Sequence, residues 1–548
     1  GATGVCLEAE ANERLYGAGI DIAPAQPPHP RSHPRPRRVT KDTHAYASAA
    51  VYPADHARIV GRQFVQGFQV VTVRVNPLRY RPATGELLFS SQVSLTLSFQ
   101  AGPATRRRKA LVRRGAHFVG QLVRNPETMS RHAPGSDPQP LEAPVDYLVV
   151  TSARLRDSFK VLADHRRTVN GLSTEVLDIA AITAAYPGGD TQERIRNCII
   201  DYYHNRGLVY VVLGGDSTVV PDRDCTVSTA GEVEAAMPTD LYYSGLDGDW
   251  DLDNDGTYGE AATAQGDEAD MGPEVLVGRI PVRTETGARD YVAKLIAHES
   301  SGGEAVAGSF FLGGAESWDV YTGGNRPADA VKDGHLAFRS AEHPNVCDSE
   351  MWSRRLYQDG IEPFASVERL GYFFDTLTSW DTAVGGDHPQ TAASMVSRFN
   401  QGWENVFFCT HGNVQLWGLE NAAFASTHAL QLTGRTPYVY TDACLTGAFD
   451  DPADPCLSEA FLRNPTGGAV AYMGCSRYGW GYPDSPPADA TSNGGPSMMY
   501  AYEFYQRWLP GGGRSLGSAF ALHKAAMAGR SSADTAFRWI QFGLNLQG

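Results

Sequence analysis

No apolar stretch in the 548 residues approaches the roughly 20 needed to cross a bilayer as a helix, so the sequence as given holds no transmembrane segment. Cysteine is sparse: Cys6, Cys198, Cys225, Cys347, Cys409, Cys444, Cys456 and Cys475 are scattered without close pairs. That spacing excludes a disulfide-dense small scaffold and a cysteine-rich zinc module. No repeat of fixed period is present, which excludes an array of copied units. The opening Gly1-Ala2-Thr3-Gly4 has neither Met nor the basic-then-apolar layout of a secretory leader, and such a leader is expected to have been removed. Gly511-Gly512-Gly513 lacks the strand and the Lys-Ser/Thr of a phosphate loop. What remains, 42% hydrophobic and 20% charged, is the composition of a globular protein long enough for several domains.

Charge is distributed unevenly. Residues 1–141 hold 19 Lys and Arg against 9 Asp and Glu, a balance of +10, whereas residues 142–548 hold 28 against 53, a balance of −25. The two parts should attract. A basic segment can bind nucleic acid, but this one has no recognisable nucleic-acid motif and has an acidic body to satisfy it, so no nucleic-acid partner is expected.

Patterning divides the chain further. Pro24 to Pro36 is proline-rich and expected to be an extended arm. Alternation at Val71, Val73 and Val75 and at Val93, Leu95, Leu97 and Phe99, across the turn Pro82-Ala83-Thr84-Gly85, predicts a small β-rich domain. Residues 102–143 are basic and then rich in Pro, Gly and Ser, as in a linker. From Asp146 short apolar strands alternate with amphipathic helices, the mark of an α/β unit with a mostly parallel sheet covered on both faces. The expected division is 1–101 for the β-rich part, 102–143 for the linker, and 144–290 and 291–548 for two α/β subdomains.

Ligands of open α/β sheets bind beyond the carboxyl ends of the strands. Two such ends carry reactive groups. Val406-Phe407-Phe408-Cys409-Thr410-His411-Gly412 ends in His-Gly, and Tyr438-Val439-Tyr440-Thr441-Asp442-Ala443-Cys444 ends in Cys, with Cys444 lying 33 residues after His411. On adjacent strands the imidazole and thiol would meet, and an imidazole can favour a thiolate or protonate a departing amine. Gly412 admits close backbone approach, and its amide with that of Cys444 could bind an oxyanion. Acyl transfer is the chemistry this pair suits. The competing explanation is a strand-end histidine beside an inert core thiol.

Thr410-His411-Gly412 with Trp417-Gly418, then Asp442-Ala443-Cys444-Leu445-Thr446-Gly447-Ala448-Phe449 and Cys456-Leu457-Ser458-Glu459-Ala460, resembles the gingipain family of cysteine endopeptidases. Asp146 to Thr151 is similar to that family's first catalytic strand, and Pro273-Glu274-Val275-Leu276-Val277-Gly278-Arg279-Ile280-Pro281-Val282 to an internal segment. Residues 1–101, with the Tyr80 to Leu87 turn, resemble its propeptides.

The resemblance implies a caspase-like catalytic fold in two subdomains behind a β-rich inhibitory prodomain, and a latent, secreted or cell-surface peptidase acting on proteins or peptides with the prodomain as intramolecular inhibitor. It also implies catalytic roles for Cys444 and His411, a carboxylate at Glu316 that orients the imidazole, and substrate contacts from Asp329, Trp417 and Trp480. Asp329 would favour a cationic residue before the scissile bond. Arg106, Arg107, Arg108 and Lys109, or Arg113 and Arg114, are the expected activation sites. Two alternatives share the scaffold: a cell-surface sorting peptidase or transpeptidase of the same chemistry, and a noncatalytic calcium-stabilised binding protein.

The segment from Asp247 to Glu260 stands apart. Asp247, Asp249, Asp251, Asp253, Asp255 and Glu260, with Gly256 for a sharp turn, offer oxygens suited to a hard cation such as calcium in a structural role. The run opens as an EF-hand loop does, but its twelfth position is Ala262, so it is not a complete one. Cys409 and His411 alone make a poor zinc site.

Overall fold

A computed structural model describes the chain except residues 1, 31–36, 102–111, 132–142, 262–266, 268, 301–308, 316–368, 375–390, 420–421, 483–494 and 509–514. Among the described residues no helix is long and apolar enough to cross a membrane.

The front of the chain is β-rich, as its alternation predicts. Ala2–Gly17, Glu86–Ala101 and Leu78–Arg81 form one antiparallel sheet, and Ala57–Val65 pairs with Phe68–Val75. The long first strand carries little apolar alternation and is not legible in the sequence. The front domain is docked on the body. Val65, Phe68 and Val119 share a small core with Ala525 of helix Leu516–Ala533, and Gln66 Nε2 donates to the carbonyl of Glu274. A Cβ at Gly61 would stand 2.7 Å from the Gly529 Cα, and one at Gly529 would collide with the Thr72 side chain, so the strands reach this helix only because both residues are glycine. The span expected to be a linker is not wholly one: helix Val112–Gly120 lies within it and sets Val119 into this contact. Apolar residues at helical spacing were outweighed there by the arginine runs.

The body is built on ten strands in the order Arg369–Phe374, Ser309–Ala315, Asn405–Thr410, Tyr438–Thr441, Ala471–Cys475, Leu544–Gln547, Leu276–Ile280, Tyr210–Gly214, Tyr147–Thr151 and Thr174–Asp178. Every neighbouring pair is parallel except one. Leu544–Gln547 runs parallel to Leu276–Ile280 but antiparallel to Ala471–Cys475. This last strand is a seam, and the two halves of the sheet point in opposite directions across it. The expected border at residues 290 and 291 falls inside helix Glu285–Ser300.

Burial on both faces accounts for the uninterrupted apolar strands. All five residues of Tyr147–Thr151 are buried, with Leu148 and Val150 in one core and Tyr147 and Val149 in the other. The same alternation sends Phe407 and Tyr440 to the first core and Val406, Phe408 and Val439 to the second. The seam strand alternates too, but its polar side is also buried. Asn545 Oδ1 accepts from the Asp240 amide at 3.0 Å, and Gln547 Nε2 donates to the Gly447 carbonyl at 2.9 Å.

Candidate active site

Register brings the two reactive strand ends together. In the parallel pair Asn405–Thr410 and Tyr438–Thr441, Asn405 faces Tyr438 and Phe408 faces Thr441. The offset is 33 residues throughout, and the Thr441 hydroxyl donates to the Phe408 carbonyl across it. His411 and Cys444 are separated by the same offset and follow the last paired residues by three positions each. Both leave the sheet at the same height on neighbouring strands. The next residue confirms the proximity of the two loops: a Cβ on Gly412 would lie 2.8 Å from the Cys444 carbonyl and 3.0 Å from the Ala443 Cβ. Glycine is required there for the backbones to approach.

Cys444 is fully buried in the intact chain. Its Sγ accepts the Gly479 amide at 3.1 Å. The residue after it, Leu445, has φ +64°, a left-handed conformation rare for any residue with a branched side chain. The Leu445 amide donates to the Arg477 carbonyl at 2.9 Å, and the Gly447 amide to the Cys475 carbonyl at 2.9 Å. The thiol therefore sits at the head of a sharp turn pinned by the segment after strand Ala471–Cys475. On the histidine side, Gly412–Asn413 pairs with Leu416–Gly418, the Gly418 amide donates to the His411 carbonyl at 2.8 Å, and Thr410 Oγ1 donates to the Gly418 carbonyl at 2.8 Å. The six described cysteines Cys6, Cys198, Cys225, Cys444, Cys456 and Cys475 are all free thiols.

Trp417, expected to touch substrate, does not line a cleft. It is fully buried and packed among Phe399, Phe408, Phe424, Phe461 and Tyr472, with the Phe408 ring at 4.8 Å. Being in the hairpin that follows His411 does not put a side chain in the site: this one points into the core beneath it. Trp480, also expected to touch substrate, is fully buried as well and lines no open cleft in the intact chain. It is buried against Trp539 at 5.4 Å, but it lies next to Gly479, the partner of the thiol. The strand Trp480–Gly481 pairs antiparallel with His29–Pro30 of the proline-rich arm, His29 facing Gly481 and Pro30 facing Trp480. The arm thus runs alongside the backbone that holds Cys444.

Glu316, Asp329 and the cluster from Arg106 to Lys109 lie outside the described residues. The strand Ser309–Ala315, which precedes Glu316 in the chain, pairs with the histidine strand, Ala315 facing Thr410. Arg113 and Arg114 fall in the first turn of helix Val112–Gly120.

The acidic segment does not form a single ligand shell. Asp251, Asp253 and Asp255 converge at a largely exposed corner, whereas Asp247 turns toward Asp270 and Glu274. Asp249 Oδ1 instead accepts the Asp251 amide at 3.2 Å. The Glu260 carboxyl is raised by desolvation and then by its neighbours Asp255, Asp267 and Asp253. Sequence proximity was a poor guide because the loop folds back: Asp267 accepts the amides of Leu252 at 2.8 Å and Glu260 at 2.9 Å.

The Asp247, Asp270 and Glu274 group fits a cation better than the exposed corner does. Asp270 and Glu274 are buried with their carboxyls paired, and Glu274 Oε1 receives no hydrogen bond from an N–H or a hydroxyl group among the described residues. Burial, followed by the neighbouring carboxylates, holds both carboxyls above their ordinary range. A bound cation would favour ionisation of both.

Gly479, Arg477, Asp270 and Gln547 contribute to these sites but were not singled out beforehand. Glu274 lies in the Pro273 to Val282 segment and Gly479 beside Trp480, but none of these residues has a local pattern that announces its role.

Comparisons with known proteins agree with this architecture. A model of Peptidase family C25 matches residues 140–548, and a model of the C25 propeptide matches residues 19–117. Lys-gingipain HG66 of Porphyromonas gingivalis is 20% identical over 489 residues, covering 87% of this chain and 24% of that protein. The chain therefore spans about a quarter of that relative's length. The crystal structure of the Arg-specific cysteine proteinase gingipain R (RgpB) is similar with a TM-score of 0.50 at 17% identity, over 75% of this chain and 78% of that one. The complex of Porphyromonas gingivalis RgpB pro- and mature domains gives 0.48 at 16%, over 74% and 78%. The family match covers the sheet, both reactive strand ends and the seam, and the propeptide match covers most of the docked front domain: the chain belongs to peptidase family C25, with a C25 propeptide ahead of the peptidase region.

Proposed function

We propose that the chain is the latent form of a secreted or cell-surface endopeptidase in which Cys444 is the nucleophile and His411 the proton carrier. The single observation that carries this reading is the common register of the two strand ends, with the Gly412 backbone against the Cys444 carbonyl. Cys444, as thiolate, attacks the peptide carbonyl carbon. His411 protonates the departing amine and then takes a proton from the water that hydrolyses the thioester. The amides of Gly412 and Cys444 stabilise the oxyanion. Glu316 orients the imidazole and stabilises its charged form.

Latency follows from the arm. An extended peptide binds a protease by adding a strand to an exposed backbone edge, and His29–Pro30 takes that place on Trp480–Gly481 beside the residue that contacts the thiol. The opposite charges of front domain and body favour the same arrangement. Of the two candidate activation sites, Arg106 to Lys109 is preferred, because cleavage at Arg113 or Arg114 requires unwinding of helix Val112–Gly120.

Peptides that differ only in Arg, Lys or Asn before the scissile bond test the substrate class. The activated protein should cut the Arg peptide fastest, and Asp329→Asn should reduce that preference by about 10-fold or more, the loss of one charge-assisted contact. Equal rates on all three would remove basic specificity. Adding an amine nucleophile and analysing products separates hydrolysis from transfer.

Calcium, if bound, is structural, and Asp247, Asp270 and Glu274 would hold it. Chelation should then lower the melting temperature by several degrees, since a ligand at a hundredfold excess over its Kd contributes about 2.7 kcal/mol. Glu274→Gln should abolish that sensitivity while Asp253→Asn leaves it. The opposite result moves the ion to the exposed corner, and no sensitivity with no bound metal discards calcium.

A further inference from the structure

Arg477 is not among the groups that would touch a substrate, yet three parts of the site converge on it. Its carbonyl accepts the Leu445 amide at 2.9 Å, and two residues later the Gly479 amide donates to Cys444 Sγ at 3.1 Å. One short segment thus grips the Cys444–Leu445 unit at the backbone and at sulfur. The guanidinium fixes that segment from the side. It binds both oxygens of Asp450, Nη1 to Oδ1 at 3.1 Å and Nη2 to Oδ2 at 2.7 Å, and Asp450 lies on the turn that follows the cysteine. Its Nε is 3.1 Å from Glu234 Oε2, and Nη2 donates to the Ala236 carbonyl at 2.6 Å. Both belong to the hairpin strand Glu232–Thr239, from the other half of the body. A fifth contact, Nη1 to the carbonyl of Ser476 at 2.9 Å, closes the guanidinium back on its own segment.

We infer that Arg477 is a positioning residue: its clamp on Asp450, Glu234 and Ala236 holds the Gly479 amide against the sulfur of Cys444 and keeps Leu445 in its left-handed conformation. A planar five-donor fork suits this task, and an ammonium does not reproduce it. The Gly479 amide fixes where the sulfur sits, so the clamp acts on the nucleophile through Gly479. Leu445, at φ +64°, persists in an unfavourable backbone conformation only where its surroundings over-determine it. The inference rests on the assignment of Cys444 as nucleophile.

Arg477→Met, Arg477→Lys and Asp450→Asn, made in the full chain and carried through the same activation as the unaltered protein, test it. Arg477→Met should lower kcat by about 10- to 100-fold with KM nearly unchanged, the size expected when a reacting group is misplaced by about an ångström. It should also slow alkylation of Cys444 by iodoacetamide at fixed pH, whereas loss of stability alone would expose the thiol and speed it. Asp450→Asn should move both readouts in the same direction by less, and it remains informative if Arg477→Met does not fold. Arg477→Lys should restore part of each. Unaltered kcat and alkylation rates in folded Arg477→Met, or in Asp450→Asn should Arg477→Met not fold, would overturn the clamp. If instead Cys444→Ala retains activity, the nucleophile assignment fails, and the clamp falls with it on separate grounds.

Discussion

Cys444→Ala should remove peptide hydrolysis, with kcat/KM reduced by at least about 10⁴-fold and the melting temperature little changed. The large number follows from the role. Without a nucleophile no thioester forms, and the remaining oxyanion donors and binding contacts supply only the residual catalysis seen when a triad member is deleted. The modest stability cost follows from size, because the exchange removes one sulfur from a turn otherwise held by backbone bonds from Arg477 and Cys475. His411→Ala should cost nearly as much, and the double variant little more than either, since groups that act as one unit are not additive. Glu316→Gln should cost less than either. Peptide turnover and labelling by a thiol-directed inhibitor, measured together, check the set. Retained hydrolysis in Cys444→Ala, or inhibitor attached to Cys456 or Cys475 rather than Cys444, would place the chemistry elsewhere.

Trp417→Ala should have the second largest effect, on stability rather than turnover. Its ring is fully buried among five other aromatic side chains, and truncating a buried aromatic costs about 3–5 kcal/mol through lost transfer energy and the cavity left behind. A fall of about 3–5 °C in melting temperature is the scale expected for a chain of this size. Trp417→Phe should recover most of it. Trp480→Ala should cost stability on a similar scale, because Trp480 is equally buried and packs on Trp539, and it should also raise KM, because Trp480 follows the Gly479 that contacts the thiol. A Trp417→Ala protein that melts normally but binds peptide poorly would return Trp417 to the substrate cleft.

These two tryptophans show where local pattern stops being informative. The family resemblance offers both as substrate contacts, although Trp417 lies 6 residues after His411 and Trp480 lies 36 after Cys444. In the fold both rings are buried, one in the core under the His411 hairpin and the other against Trp539, on a strand that the arm covers. The seam strand is a second case. Leu544-Asn545-Leu546-Gln547 alternates like a strand with one wet face, yet Asn545 and Gln547 are buried and bond to Asp240, Pro238, Gly447 and Ser458. A buried polar side chain is stable only with its partners in place, and those partners come from distant parts of the chain.

Short range did decide a good deal. The apolar strands and amphipathic helices from Asp146 onward specify a covered parallel sheet, because a strand dry on both faces has no position for a polar residue. The matching ends at His411 and Cys444 were legible for the same reason: strands of similar length in parallel register deliver their carboxyl-terminal residues to one edge. The tertiary structure alone decided the division of the acidic segment into two groups, the inward turn of Trp417, the pairing of the arm with Trp480, and the grip of Arg477 on Glu234 and Asp450. Each of these joins residues whose separation along the chain says nothing of their distance in space. Periodicity reports which face a side chain takes, whereas the identity of the neighbour on that face is fixed only when the halves of the sheet close on one another.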